Sequence, residues 1–259
     1  MNFNIVVDTD RHATRSEAFI EKCKEQLEEN GVLSLPGFIR PAALHVIREE
    51  AEIKQGKAYY CTQHHSVYLA PPDASFAPDH PVNRQVESSK GCICDDDIDV
   101  FSPLRILYDA PEFREFVMAV TGERALHPYA DRLSSINIHY AQRGQELGWH
   151  FDNSSFAITL LIEKPEAGSR FEYVKDVRDT DAGVTNYDTV ASVLDGAVEP
   201  QILDMDPGTL VLFKGRNALH RVTPNEGDKT RVLAVLAYNA EAGVELSESA
   251  RMTFYGRSG

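Results

Sequence analysis

A histidine and an aspartate stand two positions apart in GWHFDNSSFAITLLI, residues 148–162, just ahead of an apolar run. In an extended strand, residues i and i+2 point to the same side, so His150 and Asp152 would face together while Phe151 turns away. Imidazole and carboxylate groups are both good ligands for a divalent metal. The same pair could instead close the end of a strand by hydrogen bonding, so the rest of the chain has to separate the two interpretations.

A second histidine, His220, lies in PGTLVLFKGRNALHRVTP, where one strand ends near Gly215 and the next begins. Together with His150 and Asp152 it makes a set of two histidines and one carboxylate, the facial triad of non-haem Fe(II) oxygenases. Arg231 opens a further strand and offers a planar fork to the far carboxylate of a keto-acid co-substrate. Alone, each residue has an ordinary explanation, as a surface pair, a core histidine or a solvated charge. The joint pattern predicts an iron site.

The charge balance of the chain excludes some classes of partner. Its 259 residues include 26 Lys and Arg against 40 Asp and Glu, a formal net charge of -14. An acidic surface repels phosphate backbones and anionic lipids, so we expect neither nucleic acid nor a membrane as a partner. No signal peptide is visible, and four cysteines are too few for a disulfide scaffold of this size, which favours the cytoplasm. The oligomeric state and the roles of Cys92 and Cys94 stay open.

Two kinds of periodicity divide the chain. Residues 14–30, the segment from Pro41 and residues 102–123 have helical spacing, whereas short strands separated by turn signals follow from about residue 125. Residues 57–101 show no lasting period, which is typical of a lid over a site. We therefore predict an α+β protein with a double-stranded β-helix (jelly-roll, cupin-like) core and N-terminal helices packed outside. Residues 1–259 would form one domain, with the helical part and lid in 1–124 and the core in 125–259.

Several segments resemble the Fe(II)/2-oxoglutarate-dependent dioxygenases. The pattern HYAQRG, then HFD, then HRVTP and an arginine is similar to the prolyl-hydroxylase-like branch. A closer resemblance is to the branch of free-amino-acid radical halogenases and their hydroxylase relatives. The segments that carry it are DHPVNR, LRILYDAPEF, LHPYAD, GWHFDNSSFAITLLIEKPEAGSRFEYV, the PGTLVLFKGRNALHRVTP block and the closing FYGR.

The resemblance implies a cofactor set and roles for the candidate residues. Fe(II) would be held by His150, Asp152 and His220, with 2-oxoglutarate and O2 as co-substrates and Arg231 on the distal carboxylate of 2-oxoglutarate. Tyr140 could hydrogen-bond the keto acid, or its ring could pack in the core. Three further candidates for contacts to a small-molecule substrate are Asn153, Arg221 and His65. Each has an alternative: a turn for Asn153, surface pairing for Arg221 and an exposed loop position for His65.

Two departures from the halogenase branch bear on the reaction. Halogenases of this branch have glycine where Asp152 stands, which opens an iron position for chloride, so we expect hydroxylation of an unactivated C–H bond. Lysine-acting members hold the amino acid's carboxylate with polar residues on the strand after the arginine, and that strand here reads VLAVLAYN. The substrate is therefore predicted only as a small polar metabolite, with an amino acid or derivative as a lead. A desaturase or cyclase, a cupin-like protein that does not use 2-oxoglutarate, and a non-catalytic binding module remain alternatives.

Overall fold

Proline and glycine set the limits of the longer helices. In the computed structural model, which describes residues 2–259, three helices begin at Pro41, Pro103 and Pro111. Proline suits the first turn because the N–H that it lacks has no partner there. One helix ends at Gly31, whose φ of 71° is left-handed backbone that costs glycine little. The helices are α1 (Phe3–Val6), α2 (Glu17–Asn30), α3 (Pro41–Lys54), α4 (Pro103–Asp109), α5 (Pro111–Thr121), α6 (Tyr187–Leu194) and α7 (Glu248–Tyr255).

Eleven strands form a single sheet of antiparallel pairs. They are β1 (Val32–Leu35), β2 (Tyr59–Ser66), β3 (Gln85–Ile93), β4 (Ile136–Ala141), β5 (Leu147–His150), β6 (Ala157–Glu163), β7 (Phe171–Val174), β8 (Gln201–Leu203), β9 (Leu210–Phe213), β10 (Leu219–Val222) and β11 (Arg231–Leu236). Their order is β1-β9-β6-β11-β4-β3-β5-β10-β7-β8, and β2 pairs with β3. Strand β9, next to one end of this order, and strand β8, at the other end, line the same cavity, so the sheet curls into the predicted jelly-roll core.

The N-terminal helices α1 to α5 cover the outer face of the sheet, as predicted. On β4, Ile136, Ile138 and Tyr140 are fully buried in the same apolar cluster as Phe113 and Phe116 of α5. This cluster also takes in residues of α1, α2 and α3 and of β6, β9 and β11. Burial of this apolar area is the main stabilising term of the fold. The opposite face of the same strands is left to line the cavity. Within residues 2–259, no helix has the length and apolar character that crossing a membrane requires.

The sheet begins earlier in the chain than the sequence predicts. Residues 57–101, predicted as an irregular lid, contain the paired strands β2 and β3, which are joined by a loop over residues 67–84. The strand period is hidden because the cavity-lining residues Cys61, Gln63 and His65 of β2 are polar or small. An alternation of apolar and polar residues appears only where one strand face packs against a dry core. The hairpin forms one side wall of the cavity.

Candidate metal centre

The three predicted ligands come together at one end of the curled sheet. His150 is the last residue of β5, and it lies directly opposite His220 in the antiparallel pairing with β10. Asp152 follows two residues after His150, and its Oδ1 is 3.7 Å from Nε2 of His150 and 3.6 Å from Nε2 of His220. One ligand atom from each residue lies within 4.8 Å of the others. This spacing allows the three side chains to hold a single ion.

Backbone carbonyls orient both imidazoles. Nδ1–H of His150 donates to the carbonyl of Gly148 at 2.8 Å, and Nδ1–H of His220 donates to that of Ala218 at 3.0 Å. The lone pair of each Nε2 is then directed toward Asp152, and such supporting hydrogen bonds fix the tautomer of metal-bound histidines. Burial, followed by the neighbouring His220, lowers the pKa of His150 to about 3. The ring is therefore neutral at physiological pH, the state that binds a cation.

Because Gly215 has no side chain, the Asp152 carboxylate can lie against it. The backbone N–H of Asp152 donates to the Gly215 carbonyl at 3.0 Å, which brings the end of β5 against the turn after β9. A Cβ at position 215 would clash with Oδ2 of Asp152 and would lie 2.6 Å from its Cγ and 3.0 Å from Cε1 of His220. Oδ2 is buried and has no hydrogen-bond partner among residues 2–259. Two imidazoles together with a buried carboxylate oxygen that has no other partner suit a divalent first-row transition metal such as Fe(II).

Arg178 holds the backbone on the other side of Asp152. Its Nε–H donates to the carbonyl of Arg216 at 2.7 Å, and its Nη2 lies 3.5 Å from the carbonyl oxygen of Asp152. The guanidinium also stacks 4.1 Å above the ring of Phe151. In turn, the N–H of Phe151 donates to the carbonyl of Val67, where the β2–β3 loop begins. The Arg178 guanidinium thus connects the turn after β9 to the segment that bears Asp152, and it also lies against Tyr68 of the β2–β3 loop.

The metal centre opens into a cavity of about 320 Å³. Arg231, the first residue of β11, lines it and is 7% exposed, yet it forms no ion pair with any residue in the described part of the chain. Burial alone lowers the pKa of Arg231 to about 10, so the group stays charged at neutral pH. A buried cation without a partner is costly, and an anionic ligand removes that cost. Arg231 therefore marks one end of the cavity as a carboxylate site.

The cavity holds a second cation that the sequence did not suggest. Lys90 of β3 lines the same space, and its Nζ lies 3.3 Å from Nδ1 and 3.4 Å from Nε2 of His139 on β4. Burial, and then the charges of Lys90 and Arg231, hold the pKa of His139 well below its ordinary value. His139 is thus a neutral ring beside two positive groups.

The three predicted substrate contacts have different positions. His65 lines the cavity: Ser88 Oγ donates to its Nε2 at 2.7 Å, and its ring centroid is 6.4 Å from that of His150. Asn153 is exposed and is not part of the cavity lining. Arg221 points away from the cavity, where its Nε donates to Glu172 Oε2 at 2.7 Å and its guanidinium stacks on Trp149. The structure brings His65 to the metal centre and leaves the other two outside it.

The hydroxyl of Tyr140 points toward the helices. The residue is fully buried on the helix side of β4, where its hydroxyl donates to the carbonyl of Ala51 at 2.7 Å. Of the two roles considered for Tyr140, core packing of the ring is the arrangement found in the structure, and the hydroxyl is hydrogen-bonded to the backbone of α3. The sequence SSINIHYA already indicates this orientation of Tyr140. In a strand, a period of two places Tyr140 on the same face as Ile136 and Ile138, and His139 on the opposite face.

Comparison with known families and structures agrees with this geometry. The model of the family described as Halogenase D matches residues 88–254, more than half of the chain. This range contains all four of the residues His150, Asp152, His220 and Arg231. No curated protein matches the sequence.

Solved structures share the fold at low sequence identity. A 2OG-Fe(II) oxygenase family oxidoreductase from Burkholderia pseudomallei is 14% identical, with a TM-score of 0.53 over 89% of this chain and 95% of its own. The epimerase SnoN from nogalamycin biosynthesis, in complex with Fe3+, alpha ketoglutarate and nogalamycin RO, is 11% identical, with a TM-score of 0.58 over 86% and 84%. A Pseudomonas putida prolyl-4-hydroxylase is 10% identical, with a TM-score of 0.52 over 86% and 100%. These similarities show that the fold is the one found in 2-oxoglutarate–Fe(II) oxygenases.

Substitution of Gly215 should disturb the metal centre without unfolding the protein. In Gly215→Ala the new methyl group displaces the Asp152 carboxylate, and we expect metal affinity to fall roughly 10- to 100-fold, as for other groups that support a ligand. Gly56→Ala is the matched control, because a Cβ there meets no atom within 4 Å. Calorimetric titration with Co(II) measures the affinity. Equal affinities for the two variants would show that Asp152 can bind metal from another position.

The hydroxyl of Tyr140 should contribute to stability and not to co-substrate binding. Tyr140→Phe leaves the buried Ala51 carbonyl without its donor, and we expect the free energy of unfolding to fall by about 1 kcal/mol. The affinity of the metal-loaded protein for 2-oxoglutarate should not change. Urea unfolding and calorimetry measure the two quantities separately. A marked loss of 2-oxoglutarate affinity in a folded variant would contradict this assignment.

Proposed function

The chain belongs to the family described as Halogenase D, and we propose that it is an Fe(II)- and 2-oxoglutarate-dependent oxygenase that hydroxylates an unactivated C–H bond of a small polar metabolite. One observation carries this proposal. A two-histidine, one-carboxylate set and a buried arginine without an acidic partner open into the same cavity. A protein that only binds a metal has no need for the arginine. A dicarboxylate keto acid uses both features at once.

His150, Asp152 and His220 are the proposed iron ligands. Both Nε2 atoms are directed by backbone hydrogen bonds, and the carboxylate has a buried oxygen without a partner. A facial set of three protein ligands leaves the other positions of the ion for co-substrate and O2. When bound, Fe(II) would supply the chemistry that activates O2, whose reduction takes two electrons from the decarboxylation of 2-oxoglutarate to succinate and two from the substrate C–H bond that is hydroxylated. The chain itself binds, orients and excludes water.

Arg231 is the proposed partner of the distal carboxylate of 2-oxoglutarate. Its planar fork matches a carboxylate with two parallel hydrogen bonds, and its burial strengthens the interaction because little water competes. The guanidinium is positively charged before the ligand arrives, since its pKa of about 10 is above physiological pH. The position of Arg231 would therefore fix the orientation of the keto acid in the cavity.

The remaining lining shapes the substrate pocket. Its wall is largely apolar, and polar groups such as His65, Ser88 and Glu146 come from the β2–β3 side and from the start of β5. On β11 the cavity-facing residues after Arg231 are Leu233 and Val235, which offer no hydrogen bond to an amino acid's carboxylate. This lining supports a substrate whose polar end approaches the hairpin and whose target carbon lies against the apolar wall.

Hydroxylation is proposed because Asp152 is present. Halogenases of the branch that this chain resembles have glycine at this position, and chloride takes the iron position that the carboxylate would fill. Here the carboxylate sits between both histidines and its space is preserved by Gly215. An anion that is already part of the protein opposes the binding of a second anion at the same position. Oxygen transfer is then the expected outcome.

Metal- and keto-acid-dependent formation of succinate tests the function. With Fe(II), 2-oxoglutarate and O2, a panel of polar metabolites should contain a compound that increases succinate release and gains one oxygen by mass spectrometry. Arg231→Lys keeps the charge but loses the fork, so its 2-oxoglutarate affinity should fall. Arg231→Ala should lose more, about 100-fold, with iron affinity little changed. Absence of 2-oxoglutarate binding by the wild-type protein would instead favour a metal-binding protein that does not use the keto acid.

The identity of the transferred group tests the role of Asp152. In high chloride, the wild-type protein should still give an oxygenated product, because its carboxylate occupies the position that chloride needs. Asp152→Gly should bind iron more weakly and should be largely inactive, since it loses a ligand and a negative charge together. Mass spectrometry of products formed with and without chloride makes the comparison. A chlorinated major product from the wild-type protein would overturn this assignment.

A further inference from the structure

The strand that carries His150 contains a β-bulge. In the antiparallel pairing of β5 with β10, His150 lies opposite His220, and the next pair is Leu147 with Val222. Between these pairs, two residues of β5 therefore stand against a single residue of β10. In a regular strand, residues three apart point to opposite faces, yet Leu147 and His150 both line the cavity. The extra residue of the bulge, at positions 148–149, thus turns the metal ligand toward the cavity.

Gly148, the first residue of the bulge, is held by Ser88 of β3. Its backbone N–H donates to Ser88 Oγ at 3.0 Å. A Cβ at position 148 would clash with the carbonyl oxygen of Glu87 and would lie 3.0 Å from Cγ2 of Val86. Glycine therefore allows β3 and β5 to approach each other, but it also leaves the backbone free to adopt many conformations. The hydrogen bond to the Ser88 hydroxyl restricts this freedom.

The same glycine orients the imidazole of His150. The carbonyl of Gly148 accepts a hydrogen bond from Nδ1–H of His150 at 2.8 Å. Ser88 and the metal ligand are thus connected through one flexible residue, which is bound at its N–H by the first and at its carbonyl by the second. If the N–H is released, rotation about the φ and ψ angles of Gly148 can move the carbonyl. The imidazole would then lose the bond that fixes its direction.

His65 of β2 fixes the direction of the Ser88 hydroxyl. Nδ1 of His65 lies 2.9 Å from the carbonyl oxygen of Ser66, and because a carbonyl only accepts, Nδ1 carries the proton. Nε2 is then an acceptor, and Ser88 Oγ–H donates to it at 2.7 Å. With its proton directed to His65, Ser88 Oγ offers a lone pair to the N–H of Gly148. The chain of hydrogen bonds therefore starts on β2, crosses β3 and ends at the metal ligand.

We propose that Ser88, supported by His65, is a positioning residue for the metal ligand His150. The inference rests on the proposed function through one assignment, that His150 binds the iron. The Ser88 hydroxyl holds the bulge in the conformation that directs the His150 ring into the cavity, and it acts through Gly148 and not on the metal itself. In the order of the sheet, β5 lies between β3 and β10. The β2–β3 hairpin thereby supports the metal centre from the side opposite to His220.

Metal affinity and the spectrum of bound Co(II) test this role without measuring turnover. In the full-length protein, Ser88→Ala releases the N–H of Gly148, and we expect the Co(II) affinity measured by calorimetry to fall about tenfold. The visible absorption bands of Co(II) depend on the arrangement of its ligands, so their position or intensity should change as well. Ser88→Thr keeps the hydroxyl and should retain most of the affinity and the wild-type spectrum. If Ser88→Ala does not fold, Ser88→Cys serves the same comparison, because a thiol is a weak acceptor.

Ser89→Ala is the matched control for a general loss of stability. Ser89 is the next residue of β3 and is also buried, and its Oγ likewise accepts a backbone N–H, that of Glu146 at 3.3 Å. This substitution should lower the melting temperature of the metal-free protein as Ser88→Ala does, but it should leave Co(II) affinity and spectrum unchanged. Equal losses of Co(II) affinity in the two variants would contradict the proposal, since loosening of the contact between β3 and β5 would explain both.

A double variant tests whether His65 acts through Ser88. His65→Ala leaves the Ser88 hydroxyl without its acceptor, so Co(II) affinity should fall, but by less than in Ser88→Ala. If both residues act through Gly148, the double variant should bind Co(II) as Ser88→Ala alone does. Losses that simply add would show that His65 affects the metal centre by another route, and the supporting role of His65 would then be wrong.

The behaviour of His150→Ala separates this inference from the proposed function. If the wild type does not bind Co(II), or if His150→Ala binds it as tightly as the wild type, the proposed function fails. If His150→Ala loses affinity while Ser88→Ala keeps the wild-type affinity and spectrum, only the positioning role of Ser88 fails.

Discussion

The pairing of β5 with β10 is the constraint on which the metal centre depends. It sets His150 directly opposite His220, although the two residues are far apart in the sequence. A shift of one residue in this register would turn one imidazole to the outer face of the sheet, because side chains alternate along a strand. The neighbouring pairing of β10 with β7 fixes the same strand from its other side. The position of the two ligands is thus a property of the sheet as a whole.

The two faces of the sheet differ in their effect on stability. The outer face of β4 and β11 packs against helices and contributes the stability that burial of apolar area provides. The inner face keeps Arg231, Lys90 and His139 in a cavity where the protein supplies no countercharge to the two cations. Such an arrangement costs stability in the free protein, and the binding of an anion recovers it. The chain as a whole has a net charge of -14, yet its cavity contains a buried arginine without an acidic partner, which suits a carboxylate of the co-substrate.

The chain belongs to the Halogenase D family, yet the presence of Asp152 favours hydroxylation over halogenation. The same fold would then support two different reactions. Arg231, the proposed partner of the distal carboxylate of the keto acid, lies on β11, whereas the residue at 152 follows β5. The space for the Asp152 carboxylate, in contrast, depends on the turn at Gly215 and on the cation of Arg178. A change of reaction within such a family can therefore occur at the turn without altering the rest of the cavity.

The sequence by itself determined helices α2 to α5, most strands after residue 125, and the choice of His150, Asp152, His220 and Arg231 as candidate site residues. These features are local: a capping proline, an apolar period or a pair of ligands two residues apart is read from neighbouring positions. The tertiary structure decided which faces meet. It placed Tyr140 against Ala51, brought Lys90 and Arg231 into one cavity, and set Gly215 against Asp152. These contacts depend on strand register and on the curl of the sheet, which arise from pairing between distant segments and leave no mark in the order of adjacent residues.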